Sequence, residues 1–176
     1  MADCWQATAA TLSVRERAPV PMATLRLRHP SPADLDRIGA VIGTALPTTP
    51  NRAIGDAVRV IWIGPDEWLI IGDVAPNAAI EAAAADAAAA LCVGMGDGRC
   101  TFDVTGANAA HLLAKGTSLD LHTALFAEGM SAMTLFAQVN VIVDRPPELD
   151  GFRLIFDVSL RDYLHRWFRD AIVEFG

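Results

Sequence analysis

The sequence predicts an α+β fold, two successive β-α-β-β-α units forming a mixed, largely antiparallel sheet with helices. Three observations lead there. Residues 58–63 and 68–71 are β-rich runs flanking Gly64-Pro65-Asp66-Glu67, in which Pro65 supplies the fixed φ of a second turn position, so the pair reads as a hairpin. Segments with a 3.6-residue apolar period alternate with such runs. The order strand, helix, hairpin, helix then occurs twice, through shared order and not shared residue identity. Antiparallel hairpins with helices on one face form a layered α+β arrangement.

Taken in order, residues 1–22 form an amino-terminal segment and residues 23–176 a single domain of two halves, 23–93 and 97–176. Residues 23–28 alternate, with Leu25 and Leu27 on one side, as a strand does. Ser31-Pro32-Ala33-Asp34 opens a helix over 32–43: Ser31 caps free N–H groups, Pro32 suits the first helical position and Asp34 the positive dipole end. Leu35, Ile38, Val41 and Ile42 form its apolar face and Gly43 ends it. After a proline-bearing loop and the hairpin, residues 76–91 read as an alanine-rich helix with Ile80, Ala84, Ala87 and Leu91 along one stripe.

The second half begins with a strand over 99–104 and a helix over 107–115, ended by Gly116. Leu135, Ala137, Val139, Val141 and Val143 alternate along one long strand, and residues 152–158 return antiparallel after a proline-bearing turn. Ser159, with Asp162 three residues on, is placed to cap a last helix over 160–175. Its apolar face is Leu160, Leu164, Trp167, Phe168, Ala171, Ile172 and Phe175.

Composition excludes several functions. Lys and Arg number 14 against 21 Asp and Glu, a net charge of -7, which repels phosphate backbones and argues against nucleic acid as a partner. The most apolar stretch, 78–95, is interrupted by Glu81 and Asp86 and makes a poor membrane span. The first residues lack the basic-then-apolar pattern of a secretory signal, so the expected location is the cytoplasm. Cys4, Cys92 and Cys100 are odd in number with no CxxC pair, as free thiols of a reducing compartment are. His29, His111, His122 and His165 lie in no metal-ligand spacing, and no metal is expected.

Catalytic patterns fare no better. The glycines of 94–98 read as a helix-to-strand connector, whereas a dinucleotide loop follows a strand and opens a helix. Ser118, Asp120 and His122 lie close together, but no nucleophile-elbow sequence surrounds the serine. Asp103 and Asp157 sit near strand ends without a partner acid or base in view. Trp62, Trp68 and Trp167 read as core residues, although aromatics also anchor interfaces.

Two runs carry a family resemblance. Residues 63–70, Ile-Gly-Pro-Asp-Glu-Trp-Leu-Ile, resemble the "LGPDEWLL" signature of sarcosine oxidase gamma subunits, and residues 112–122, from Leu112 to His122, resemble that family's "LLAKGCPLDLH". The spacing onward to Phe126 and Gly129, and the closing Ser159 and Trp167, are also similar. Thr117-Ser118 stands where the family has Cys-Pro, Ala132-Met133-Thr134 where it has Ala-Gln-Thr, and Val158 where an arginine is frequent. The resemblance implies a fold like the folate-binding domain of glycine-cleavage aminomethyltransferases and of a tRNA-modifying GTPase. It implies a non-catalytic, structural subunit of a heterotetramer that oxidises sarcosine to glycine, hydrogen peroxide and a one-carbon unit. FAD, FMN, NAD and tetrahydrofolate would then sit on larger flavoprotein partner subunits, with no cofactor on this chain. The two motifs nominate Trp62, Trp68, Lys115, Asp120 and His122 as the partner interface. The alternative is a free-standing folate or one-carbon-binding protein of the same fold.

Overall fold

In the computed structural model, which describes residues 4–73, 77–84 and 89–176, the chain opens with a hairpin of β1 (Gln6–Ala9) and β2 (Leu12–Glu16). There follow β3 (Met22–Arg28), α1 (Pro32–Ile42), β4 (Ala53–Ile54), β5 (Arg59–Gly64), β6 (Glu67–Ile71), α2 (Asn77–Ala83) and β7 (Ala89–Gly94). The chain continues through β8 (Arg99–Thr105), α3 (Ala109–Ala114), β9 (Ser131–Phe136), β10 (Val139–Asp144), β11 (Gly151–Asp157) and α4 (Arg161–Ile172). Two compact units result, Val20–Gly96, and Met1–Pro19 together with Asp97–Gly176. Every strand pair among the described residues is antiparallel.

The unit Val20–Gly96 holds a sheet in the order β4-β5-β6-β3-β7. Ala23, Leu25, Leu27, Val60, Trp68, Ile70 and Cys92 meet Ile38 and Ile42 of α1 and Ile80 of α2 in one core. The start of α1 is as expected: Ser31 Oγ accepts the Asp34 N–H at 3.2 Å, the Asp34 carboxylate accepts the Ser31 N–H at 2.8 Å, and Gly43 closes the helix at φ 81°. Val41, expected on the apolar face, points outward. At the hairpin turn Asp66 takes a positive φ of 57° after Pro65.

The unit built around β8 holds the order β1-β2-β8-β11-β10-β9. Phe102, Val104, Leu154, Phe156, Val141 and Val143 face Leu112 and Leu113 of α3 and Leu164, Phe168 and Ile172 of α4. All seven residues expected on the apolar face of the last helix pack into this core. A ring cluster sits at its centre, with Phe136 5.4 Å from Phe168 and edge-on to Trp167 at 4.7 Å. Burying one such side chain contributes about 1.5–3 kcal/mol.

The two sheets repeat one topology. The orders β4-β5-β6-β3-β7 and β9-β10-β11-β8-β2 place corresponding strands in corresponding positions. In the first, the fifth strand follows the second helix of its own unit. In the second, the amino-terminal β2 takes that place, pairing Ser13–Glu16 with residues 102–105 of β8. Within the amino-terminal segment, residues 6–9 and 12–16 thus contribute two strands at one edge of this sheet.

Four further expectations are corrected. The helix expected over 76–91 ends at Ala83. Residues 85–88 lie outside the described residues, and 89–94 form a strand. Alanine propensity loses there to six register pairs with β3, and Glu81 Oε1 accepts the Cys92 N–H at 2.7 Å. The glycines of 94–98 therefore connect two strands, and no helix precedes them. The single long strand over 135–143 is the β9–β10 hairpin, turned at Ala137 and Gln138, both with positive φ (46° and 67°). Neither residue signals such a turn. Tertiary contacts hold it: the Tyr163 hydroxyl donates to Ala137 O at 2.8 Å and the Ala137 N–H to Gly116 O at 2.8 Å. Last, Ser159 does not cap the final helix. Asp157 accepts the Ser159 N–H at 2.9 Å and starts a 3₁₀ turn that runs into α4.

The exposed Gln138 carries a left-handed backbone that glycine adopts freely. Gln138→Gly is expected to stabilise the protein by about 0.5–1 kcal/mol, read from denaturant midpoints. A loss of stability would show that the turn is not strained.

Candidate partner-binding surface

The loop after α3 is organised by its own side chains. Thr117 Oγ1 accepts the Leu119 N–H at 3.2 Å, Asp120 Oδ1 accepts the His122 N–H at 2.9 Å, and His122 Nδ1 accepts the Ala124 N–H at 3.3 Å. Leu121 and Phe126 anchor the loop in the core, and the Arg145 guanidinium donates to Phe126 O at 2.5 Å. Asp120, His122 and Leu125 remain exposed, Leu125 at 62%. Asp120 and His122 thus spend hydrogen bonds on the loop backbone as turn-forming groups, and the triad-like spacing with Ser118 is a consequence of loop shape.

Lys115, at the start of the same motif, reaches α4. Its ammonium lies 2.5 Å from Glu174 Oε2, 3.3 Å from Ala171 O and 5.7 Å from the centroid of the Phe175 ring. Gly116 follows because nothing larger fits: a Cβ there would lie 2.6 Å from the Phe136 ring. Thr117 Oγ1 and Thr134 Oγ1, 3.2 Å apart, tie the loop to β9.

The hairpin tryptophans divide. Trp68 is 2% exposed and donates its indole N–H to Pro47 O at 2.7 Å, so it belongs to the core and is withdrawn from the interface set. Trp62, directly opposite it in the register, is half-buried and retains an accessible edge. Trp62 belongs to the unit Val20–Gly96, and Lys115, Asp120 and His122 to the other. The sequence did not single out β9, an uncharged edge strand whose Met133 and Leu135 are 60% and 59% exposed. Such an edge is a place where another chain can pair. Its signal was hidden in the 135–143 alternation, which merges two strands.

Two charged clusters were also missed. Arg15 of β2, Asp103 of β8, Arg153 of β11 and Asp144 of β10 stand opposite one another in the registers of four neighbouring strands. Asp103 accepts from Arg153 Nε at 2.9 Å and from Arg17 at 3.2 Å, and Arg153 reaches Glu148 at 3.4 Å. Burial works against the Arg153 guanidinium, but the Asp103 hydrogen bond and the charges of Asp103, Asp144 and Glu148 outweigh it and hold the guanidinium above its ordinary pKa. The second cluster centres on Glu16, which lies 2.9 Å from Arg161 Nε and 3.0 Å from His165 Nε2. Burial lowers the His165 pKa against the opposing pull of Glu16.

The remaining reactive groups are accounted for. Burial pushes the Cys100 thiol up to about 12 and Cys92 up to about 11, helped by Glu16 and Glu81 respectively. Neither is a ready thiolate at neutral pH. Asp157 is held below its ordinary value by the Ser159 hydroxyl and N–H, as expected for a cap. Among the described residues no three His, Cys, Asp or Glu side chains are grouped to hold a metal ion, and no helix is long and apolar enough to cross a membrane.

This architecture is an α+β fold that a solved structure shares: glycine cleavage system aminomethyltransferase T from Bartonella henselae matches with a TM-score of 0.65 at 12% identity, over 92% of this chain and 46% of that one. At that identity the fold alone is shared. The profile of the sarcosine oxidase gamma subunit family matches residues 30–174, and the chain belongs to that family. Sarcosine oxidase subunit gamma of Corynebacterium sp. (strain P-1) is 27% identical over 181 residues, covering 96% of this chain and 84% of the relative. The Arthrobacter sp. protein of the same name is 27% identical over 150 residues, covering 84% and 73%. A chain of the heterotetrameric sarcosine oxidase from Corynebacterium sp. U-96, solved with pyrrole 2-carboxylate, matches with a TM-score of 0.84 at 25% identity, over 96% of this chain and 87% of that one.

The family motif and the core meet at Gly116. Gly116→Ala is expected to destabilise the protein by about 1–3 kcal/mol, because the Phe136 ring has no free side to move to. Thermal unfolding with and without the substitution measures this. An unchanged midpoint would mean that the ring repacks freely.

Proposed function

We propose that this chain is the structural gamma subunit of a heterotetrameric sarcosine oxidase-type complex in the cytoplasm. Its role is to dock on larger flavoprotein subunits. The observation carrying this reading is the match, over 96% of the chain, to a subunit of a solved heterotetrameric sarcosine oxidase. The demethylation chemistry, with its FAD, FMN, NAD and tetrahydrofolate, belongs to the partners. Each unit then contributes its own docking element, Trp62 in one and the loop bearing Lys115, Asp120, His122 and Leu125 in the other, since aromatic and apolar groups anchor interfaces. Three free cysteines, two of them buried, fit a reducing compartment. The second reading, a free-standing folate-binding protein, is favoured only by the fold shared with an aminomethyltransferase.

Co-expression with the larger subunits and affinity capture tests the assignment. Wild-type chain is expected to co-purify in stoichiometric amount. Trp62→Ala is expected to weaken assembly by about 2 kcal/mol or more if Trp62 is an interface anchor, with the isolated chain still folded. Failure of the wild type to co-purify would count against the assignment, and a mutant that assembles normally would remove Trp62 from the surface. Calorimetric titration of the isolated chain with tetrahydrofolate separates the second reading, which alone requires binding.

A further inference from the structure

The amino-terminal hairpin is fastened to the rest of its unit by an unusual combination of groups. β1 forms the outer edge of the sheet, with residues that alternate between exposed and half-buried. β2 pairs with β8 through four register positions, and its Leu12 and Val14 enter the core. The pairing ends where the Arg17 N–H donates to Thr101 O at 2.9 Å, and Pro19 and Pro21 follow. Proline has no N–H to continue a ladder, so the hairpin is bounded on that side.

At this boundary lies the Glu16 carboxylate. It meets Arg161 Nε at 2.9 Å and His165 Nε2 at 3.0 Å, both from α4, and Cys100 Sγ of β8 at 3.7 Å. The Glu16 N–H donates to Trp5 O at 2.9 Å, closing the hairpin on itself. The Trp5 ring lies near-parallel to the His165 imidazole at 4.4 Å, and Phe102 lies parallel to the same imidazole at 5.1 Å. Asp162, whose side chain is almost fully exposed, is 4.0 Å from His165 Nδ1. One imidazole therefore touches the hairpin twice, through Glu16 and through Trp5.

We propose that the β1–β2 hairpin is a strap able to open separately from the remainder of its sheet, and that the Glu16–Arg161–His165 cluster is its proton-sensitive clasp. Arg161 already neutralises Glu16, so the clasp is balanced when the imidazole is neutral and donates from Nε2. A proton arriving at Nδ1 puts a second positive charge near Arg161 on an imidazole whose side chain is only 12% exposed; burial and Arg161 oppose it, while Glu16 and the exposed Asp162 pull the other way. The direction follows from linkage. The docked imidazole has a lower proton affinity than a free one, so the open state takes up more protons. Docking is intact above the ordinary imidazole value of 6.5 and weakens as pH falls below it, until the docked imidazole itself titrates. Opening frees the backbone edge of β8 and uncovers Leu12 and Val14.

Hydrogen exchange of the full chain at pH 7.5, 6.5 and 5.5, corrected for intrinsic rates, tests this directly. Amides of 12–16 are expected to exchange faster than those of 151–157, and the gap to widen with acid by at most about tenfold per pH unit, the limit for one proton. In His165→Gln, which keeps a donor toward Glu16, the gap should persist without widening. In Arg161→Gln, Glu16 is left to the protonated imidazole, and acid should no longer widen the gap. Exchange of 12–16 in step with 151–157 at every pH would overturn the strap. Widening that survives in both variants would overturn the clasp.

Discussion

The pairing of β8 with β11 is the constraint on which the larger unit depends. On one face it sets Phe102 against Leu154 and Val104 against Phe152, under α3 and α4. On the other it sets Asp103 directly against Arg153, with Arg15 and Asp144 continuing the rank on the flanking strands. Side chains alternate faces along a strand, so a slip of one residue would drive Asp103 into the aromatic core and lift Phe102 out of it. Hydrophobic burial thus selects the register, and the ion pair penalises every alternative. Removing Asp103 would leave the buried Arg153 guanidinium without its main partner, which costs more than the intact pair contributes.

The other features attach to that frame. β2 completes the open edge of β8, the position that β7 fills in the smaller sheet, and Glu16 carries the link to α4. Tyr163 holds a turn whose sequence would not form it unaided, and Lys115 joins the family's second motif to Glu174. α4 therefore contacts the amino-terminal hairpin, the β9–β10 turn and the start of the candidate docking loop. This is why the closing helix, with its Trp167, belongs with the rest of the motif set. Part of the motif is an account of packing: Gly116 clears Phe136, and Trp68 fills the smaller core.

Much of this was legible in the residues. Ser31, Pro32 and Gly43 marked α1 through capping chemistry, Pro65 marked the hairpin, and the period from Leu160 to Phe175 marked α4. The errors fell where local signals were outweighed. Alanine content announced a helix through 89–91, where an open strand edge offered ladder hydrogen bonds instead. Alternation ran unbroken across Ala137 and Gln138 because the turn there is held by distant groups. Trp68 is in the core, as a tryptophan is by default, but the exposure of Met133 and Leu135 depends on which face of a strand meets a helix, and that is a tertiary fact. The Glu16–Arg161–His165 cluster spans nearly the full sequence, and nothing local foretells it.

Membership of a gamma subunit family, and the match to a chain of a solved heterotetrameric enzyme, account for the protein as an assembly component. The 18.8 kDa chain should then exist in its native source as one member of a larger enzyme. Native mass spectrometry of the sarcosine-oxidising activity purified from that source measures this most directly. The account predicts a four-subunit assembly that releases one copy of this chain on activation. An active complex of the larger subunits that lacks this chain, with the chain eluting alone, would contradict it.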